Sequence, residues 1–270
     1  MAKVRILVTG AAGFIGRHLV LAAAAKDYEV VALSRSGGLI DGARQTFQWA
    51  FGQPVPAAAC VKVGRAIHLA HDFDGEAGSR RTIESTLSAA NQLRAGGVLR
   101  QLFFSSYSAG EHAASLYGKT KLAIERGFAG QGDVVFVRPG LVVGKQGIYG
   151  RIRKWAQTFP IIPLPDGGQG RVPVISIEEL CEWTLQLLID PAPPREANLF
   201  EPELTSLRHL VLEAAAQVGR RPWILPVPSP LLVRAIRFAE LLRITLPIKA
   251  DSLVGFLANQ DAQHTPTDPR

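Results

Sequence analysis

The sequence predicts an α/β fold: a doubly wound, mostly parallel sheet followed by a small, mostly helical C-terminal lobe. Three observations carry this. A buried strand runs into a glycine turn, an apolar helix and a second buried strand, so the opening is a βαβ crossover with parallel strands. Short apolar strands then alternate with helical spacings as far as residue 140. Past Gly140 that alternation fails.

Taken in order, Lys3 to Val8 becomes fully apolar, as an entering buried strand does. Phe14, Ile15, Leu19, Val20 and Ala23 then repeat at helical spacing up to Lys26. Tyr28 to Leu33 is the second strand. Residues 37–63 are rich in Gly, Pro and Ala, and a third strand is expected near Thr46 to Ala50. Ala66 to Ala70 is a short strand, Ser79 to Ala95 a helix ended by Gly96-Gly97, and Leu102 to Ser106 the next strand. Leu116 to Phe128 is helical, and Val134 to Val137 is a strand closed by Arg138-Pro139-Gly140. A helix is expected over Ile148 to Thr158, then a loop rich in Pro and Gly over Pro160 to Pro173. Ser176-Ile177-Glu178-Glu179 reads as a capping box that starts a helix through Leu188. Two more helices are expected near Ser206 to Val218 and Pro230 to Leu242. The expected division is a dinucleotide-binding unit at 1–140, a substrate lobe at 141–262 and a flexible polar tail at 263–270.

Composition narrows the function classes. The chain has 270 residues, 47% of them hydrophobic, enough for a large core. Cys60 and Cys181 are far apart and form neither a disulfide framework nor a metal-ligand spacing. No metal site is expected, because the six histidines are scattered too. The apolar run Ile6 to Val8 is too short for a signal peptide, and no apolar stretch is long enough to span a bilayer, so a cytoplasmic protein without an integral membrane segment is expected. A net charge of +7 favours anionic ligands. The basic residues are dispersed and not interleaved with aromatics, so nucleic acid is not an expected partner. The segment Leu231 to Arg243 mixes an apolar face with arginines; it suits a membrane surface or a partner, with packing against the lobe as the plainer reading.

The turn Thr9-Gly10-Ala11-Ala12-Gly13-Phe14-Ile15-Gly16 sits between the first strand and the first helix. A helix N-terminus has unpaired N–H groups and a partial positive charge, and a diphosphate satisfies both. Gly10 permits the tight turn, Gly13 lets backbone approach the phosphates, and Gly16 lets helix pack on strand. Phe14 and Ile15 open that helix and are counted with the cofactor site. This is the Rossmann-type context for a dinucleotide. The second strand ends Leu33-Ser34-Arg35-Ser36, without the acid that would bind a free ribose 2′-hydroxyl. Arg35 can pair with a 2′-phosphate, and Ser34 and Ser36 can donate to it, so NADP is expected in preference to NAD.

Tyr117 and Lys121 are spaced i, i+4 and share a helix face. A neighbouring cation favours the phenolate and brings a phenol towards a working pKa. Ser105 and Ser106 close a buried strand at its C-terminal end, where open α/β sheets bind ligands. Ser106 is the candidate to hold a reacting oxygen, with Ser108 as the other.

On these motifs the chain resembles the short-chain dehydrogenase/reductase superfamily, in its extended or atypical branch of epimerase/dehydratase-like proteins. The carriers are Thr9 to Gly16, Ile67 to Ala70, Leu102 to Ser106, Tyr117 to Lys121, Arg138 to Gly144 and Val172 to Leu180. The resemblance implies a catalytic group of Ser106, Tyr117 and Lys121, with Leu69, Ala70 and Pro139 lining the cofactor and Arg171 meeting a substrate diphosphate. It implies an NAD(P)-dependent oxidoreductase or epimerase/dehydratase acting on a hydroxyl or carbonyl of a small, nucleotide-sugar-like substrate. Helical faces in such proteins often form dimers, so a homodimer is a candidate assembly. Departures stand beside it: Thr82 replaces a frequent asparagine, Leu141 replaces a polar residue, and Tyr107 follows the serines. They leave the cofactor reading intact and weaken the case for a standard nucleotide-sugar substrate. Leu141 and the irregular segment 37–63 favour the alternative, a dinucleotide-binding redox sensor or assembly subunit without turnover.

Overall fold

In the computed structural model, which describes residues 3–244, 246, 248–259 and 264–267, the opening apolar run forms β1 (Arg5–Thr9). There follow α1 (Phe14–Ala25), β2 (Glu29–Ser34), β3 (Gln45–Gln48), α2 (Ala57–Cys60), β4 (Arg65–His68), α3 (Gly75–Ala95), β5 (Arg100–Phe104), α4 (Leu116–Gly127) and β6 (Val134–Pro139). Past Gly140 come β7 (Leu141–Val143), α5 (Gly147–Thr158), β8 (Ile161–Pro165), a 3₁₀ turn (Asp166–Gly168), β9 (Arg171–Val172), β10 (Val174–Ser176) and α6 (Ile177–Ile189). The chain continues through β11 (Glu196–Leu199), β12 (Thr205–Ser206), α7 (Leu207–Ala216), β13 (Trp223–Val227), α8 (Ser229–Leu241) and α9 (Ala250–Ala258).

The main sheet runs β3-β2-β1-β4-β5-β6-β11, and each neighbouring pair is parallel. Chain order reverses between β1 and β4, which places a crevice at the C-terminal ends of those two strands. Side chains alternate across β1. Ile6 and Val8 join Leu19, Val20 and Leu180 on the face covered by α1 and α6. Leu7 joins Leu93 and Trp49 on the other face. Strands buried on both sides read as continuous apolar runs, which is why β1, β2 and β6 are plain in the sequence.

The doubly wound α/β fold is therefore as expected, and the third strand lies within a residue of its expected start. The loop expected over residues 160–173 needs a correction, because these residues hold β8, the 3₁₀ turn and β9. Pro163 and Pro165 hide the strand. Proline removes a backbone donor but is tolerated at a sheet edge, and β8 belongs to a two-stranded ribbon with β13. Edge strand β11 also escapes a reading of the sequence; it pairs with β6, so residues beyond 141 complete the main sheet.

Capping sets three helix starts. The Ser176 hydroxyl accepts from the Glu179 amide at 3.1 Å and donates to the Glu179 carboxylate at 2.6 Å, the expected capping box of α6. Ser115 and Ser206 cap α4 and α7, accepting from the Gly118 and His209 amides. At the polar end, the Thr267 amide donates to the Asn198 carbonyl at 2.9 Å and the His264 ring meets Tyr107 edge-on. Residues 260–263 and 268–270 lie outside the described residues.

Candidate active site

The glycine turn is built around close backbone contacts. Gly10 has φ 67°, and a Cβ there would come 2.7 Å from the Ala70 amide nitrogen. A Cβ on Gly16 would come 2.4 Å from the Gly10 carbonyl oxygen. Both positions are demanded by the fold itself. Gly13 differs: its φ of −72° suits any residue, and a Cβ would be tight only against the Gly10 carbonyl, at 3.2 Å. Gly13 caps α1 without a side-chain bond, and the first turn of α1 has no acid. The Ala11 and Gly13 amides are engaged by the Leu33 and Gly10 carbonyls, and the helix mouth beyond them has neither a side-chain cap nor an acid in its first turn, a fit for phosphate oxygens.

The rest of the cofactor set lies along the same strand ends. Thr9 Oγ1 accepts from the Leu69 and Ala70 amides at 3.2 and 3.3 Å, tying the end of β4 to the end of β1. Ser34 is buried, and its hydroxyl accepts from the Gly37 amide at 3.1 Å. Arg35 and Ser36 are exposed just beyond β2. The Arg35 charge helps to lower the Asp72 carboxyl, whose main partner is Arg81.

Tyr117 stands in the first turn of α4. Gly118 brings it close to the serines, because a Cβ on Gly118 would sit 2.4 Å from the Ser108 carbonyl oxygen. The Leu116 and Tyr117 amides donate to the Asp251 carboxylate at 2.8 and 3.3 Å, so α9 anchors the mouth of α4. Ser106 Oγ accepts from the Ser108 amide at 3.1 Å, and Ser108 Oγ accepts from Asn259 at 2.8 Å. Lys121 is buried, donates to the Phe104 carbonyl at 2.6 Å and holds its Nζ 5.5 Å from the centre of the Tyr117 ring.

Electrostatics at this pair follow burial. Burial pushes the Tyr117 phenol up to about 12. Burial also pushes the Lys121 amine down to about 7, against a smaller pull upward from Glu125. The activation expected of Lys121 is outweighed in this arrangement, since an amine near neutrality carries only part of a charge.

These elements surround one cavity of about 750 Å³. Phe14 and Ile15 line it from the glycine turn, Ser106 and Tyr117 from the serine strand and α4, and Pro139 and Arg171 from the far side. Ser108 lines it as well. Gly10, Gly13, Gly16, Leu69, Ala70, Ser34, Arg35, Ser36 and Lys121 do not line it. Arg171 is exposed at its position in β9.

One residue of the cavity wall, His71, goes unmarked in the sequence, and Ser105 is marked there only as part of the strand end it shares with Ser106. His71 Nδ1 and Ser105 Oγ are both buried without a hydrogen-bond partner. His71 packs edge-on against Tyr117 with ring centres 4.8 Å apart, and Phe73 stacks on Tyr117 at 6.0 Å. Burial, with the Lys121 charge second, pushes the His71 imidazole down to about 3, so the ring is neutral. The signal lies in the polar run His71-Asp72 directly after a buried strand.

Comparison with known proteins bears on the opening segment and on the fold. Residues 6–50, which hold the glycine turn, match the NAD dependent epimerase/dehydratase family. MoeE5 in complex with UDP-glucose and NAD is similar in structure at TM-score 0.71, with 22% identity over 83% of this chain and 85% of that one. The UDP-glucose 4-epimerase of Thermus thermophilus, in complex with NAD, reaches 0.68, with 19% identity over 96% of this chain and 100% of its own. The NAD dependent NDP-hexosamine 5,6-dehydratase TunA also reaches 0.68, with 18% identity over 96% and 97%. No curated protein matches the chain. The opening segment thus carries the sequence pattern of the NAD dependent epimerase/dehydratase family, and the chain has the fold of the extended short-chain dehydrogenase/reductases.

Proposed function

We propose that the chain is an NAD(P)-dependent oxidoreductase or epimerase/dehydratase-type enzyme acting on a hydroxyl or carbonyl of a small substrate. The observation that carries this is the single cavity shared by the opening of α1, Ser106 and Tyr117. A bound nicotinamide dinucleotide supplies hydride exchange and, when oxidised, a positive charge. The amides of the Gly10 to Gly16 turn hold its pyrophosphate. Leu69, Ala70 and Pro139 flank it at the strand ends. Ser34, Arg35 and Ser36 receive the adenosine ribose, and with no acid at the end of β2 the preferred form is NADP, with NAD accepted.

Ser106 orients the reacting oxygen, with Ser108 supporting it. Tyr117 passes the proton to or from that oxygen. Its resting phenol, near 12, is a strong proton holder and a weak base, so a positive charge brought into the cavity is what readies it for proton removal. Lys121 contributes its remaining charge from below and holds ribose hydroxyls. Arg171 meets an anionic part of the substrate, consistent with a nucleotide-sugar-like compound. MoeE5, similar in structure, is a complex with UDP-glucose and NAD, which supports this class. Two free cysteines suit a reducing cytoplasm, and a homodimer is the proposed assembly.

The experiment is turnover of a nucleotide-sugar panel, followed by product chromatography and by dihydronicotinamide absorbance. Tyr117→Phe should retain cofactor affinity and lose about 10²–10⁴ in rate. Unchanged turnover in that variant removes Tyr117 from the chemistry. A second reading, a non-catalytic NAD(P)-binding sensor or assembly subunit, is favoured by the raised phenol under its His71 and Phe73 cover. Tight cofactor binding with no turnover of any panel member would select it.

A further inference from the structure

Half of the large apolar side chains left exposed among the described residues fall in three short segments: 159–161, 223–225 and 231–244. These segments form one structural unit. Trp223 pairs with Ile161 across the β8–β13 ribbon, α8 follows that ribbon after Pro228 and lies against β8, and Asp166 accepts from the Ser229 amide at 3.1 Å. Ribbon and helix each present an apolar outer side. Trp223 is 76% exposed, Phe238 62% and Leu241 78%.

The helix shows why this is a face and not scatter. Leu232, Val233 and Ile236 turn inward to the cluster with α9. Leu231, Ala235, Phe238 and Leu242 recur at helical spacing, and all four are exposed. The plainer expectation for this segment, packing against the lobe, therefore accounts for only one of its two apolar sides.

Charge identifies what covers the other. From Arg220 to Arg243 the chain carries Arg220, Arg221, Arg234, Arg237 and Arg243, and all five are exposed. The one acid in that stretch, Glu240, has its carboxylate engaged by the Ala250 amide at 3.0 Å. A second copy docking here would set arginines against arginines. Exposed Trp, Phe and Leu rimmed by arginine match the boundary of an anionic bilayer, where apolar side chains enter the acyl edge and cations meet the headgroups. No helix among the described residues is long and apolar enough to cross a membrane, so the contact is with the surface.

We infer that the β8–β13 ribbon and the outer face of α8 form a docking surface for an anionic lipid bilayer. It is independent of the reaction assigned to the cavity.

The test is flotation of the full chain with vesicles of phosphatidylcholine and phosphatidylglycerol in equal parts, against vesicles of phosphatidylcholine alone. The protein floats with the anionic vesicles, stays behind with the neutral ones, and is released by added salt. Arg234→Gln with Arg237→Gln weakens binding by about thirtyfold, at ~1 kcal/mol per arginine. Phe238→Glu with Leu241→Glu abolishes it, and Leu99→Glu, an exposed residue outside the face, leaves it intact. All variants keep the parent melting temperature, since every altered side chain is exposed. Absence of flotation with the anionic vesicles overturns the proposal. So does flotation insensitive to both double variants, or a dimer in sedimentation that the Phe238/Leu241 variant splits while vesicle binding is missing.

Discussion

Tyr117 and Lys121 are two ionisable groups placed where neither welcomes its charge. The amine is depressed from 10.5 to about 7 by burial. A base with a depressed folded pKa contributes stability that is present above the unfolded value and lost as pH falls through the folded one. The chain should therefore gain stability between about pH 7 and 10.5, by a few kcal/mol at most, and Lys121→Met should flatten that rise. Chemical denaturation across that range checks it. Tyr117 acts in the opposite sense: its raised pKa gives stability below pH 10 that is lost towards 12. His71 adds a residue-scale prediction. Its Nδ1 is buried without a partner, which costs about 1–3 kcal/mol. His71→Phe should raise the melting temperature and weaken cofactor or substrate binding about tenfold, if a ligand is what Nδ1 is kept for. A variant that changes neither quantity shows that Nδ1 serves no ligand. At this scale the sequence discloses the pair by spacing, but its sign of charge interaction depends on burial, which spacing does not carry. His71 is passed over there because its one signal, a polar pair after a buried strand, has no periodic signature.

Elements set the distances between those residues. Gly118 lets α4 lie against the Ser108 carbonyl, and Asp251 from α9 holds the first two amides of α4. Gly118→Ala must displace α4 from the serine turn, costing about 1–3 kcal/mol. Asp251→Ala removes a cap-like acceptor and should cost about 0.5–2 kcal/mol, read by thermal or urea unfolding. Because Tyr117 carries one of the two amides, the same variant should also lower turnover. An unfolding midpoint unchanged in Asp251→Ala contradicts the anchoring role of α9. Elements with two buried faces or a capping box are legible: β1, β2, β6 and α6 all stand out. Edge and ribbon strands are not. β8 is masked by Pro163 and Pro165, and β11 is only half apolar, since Glu196 and Asn198 alternate with Ala197 and Leu199. The link between α9 and α4 spans more than a hundred residues, and no local pattern announces it.

At the scale of the whole molecule, Arg138 joins the layers. It donates to Glu125 on α4 through two nitrogens and to Glu196 on the edge strand at 2.6 Å. Both Arg138 and Glu125 are buried. Removing one partner of such a pair leaves an uncompensated charge, so Glu125→Ala should cost about 3–5 kcal/mol. Glu125 also raises Lys121, so the variant should depress that amine further and shift the pH dependence of stability to lower pH. The overall plan, with a parallel sheet and a crevice where strand order reverses, is readable from the alternation of elements. The chemistry of the substrate end is not, because its wall is assembled from β7, α5, β9, α7 and α9, which are far apart in the chain. The central claim is that the bare mouth of α1 grips a nicotinamide dinucleotide beside Tyr117. Titration calorimetry of the purified chain with NADP and with NAD tests it most directly. One saturable site is predicted, tighter for NADP, and lost in Gly13→Leu while the melting temperature stays within a few degrees. No heat of binding with either dinucleotide contradicts it.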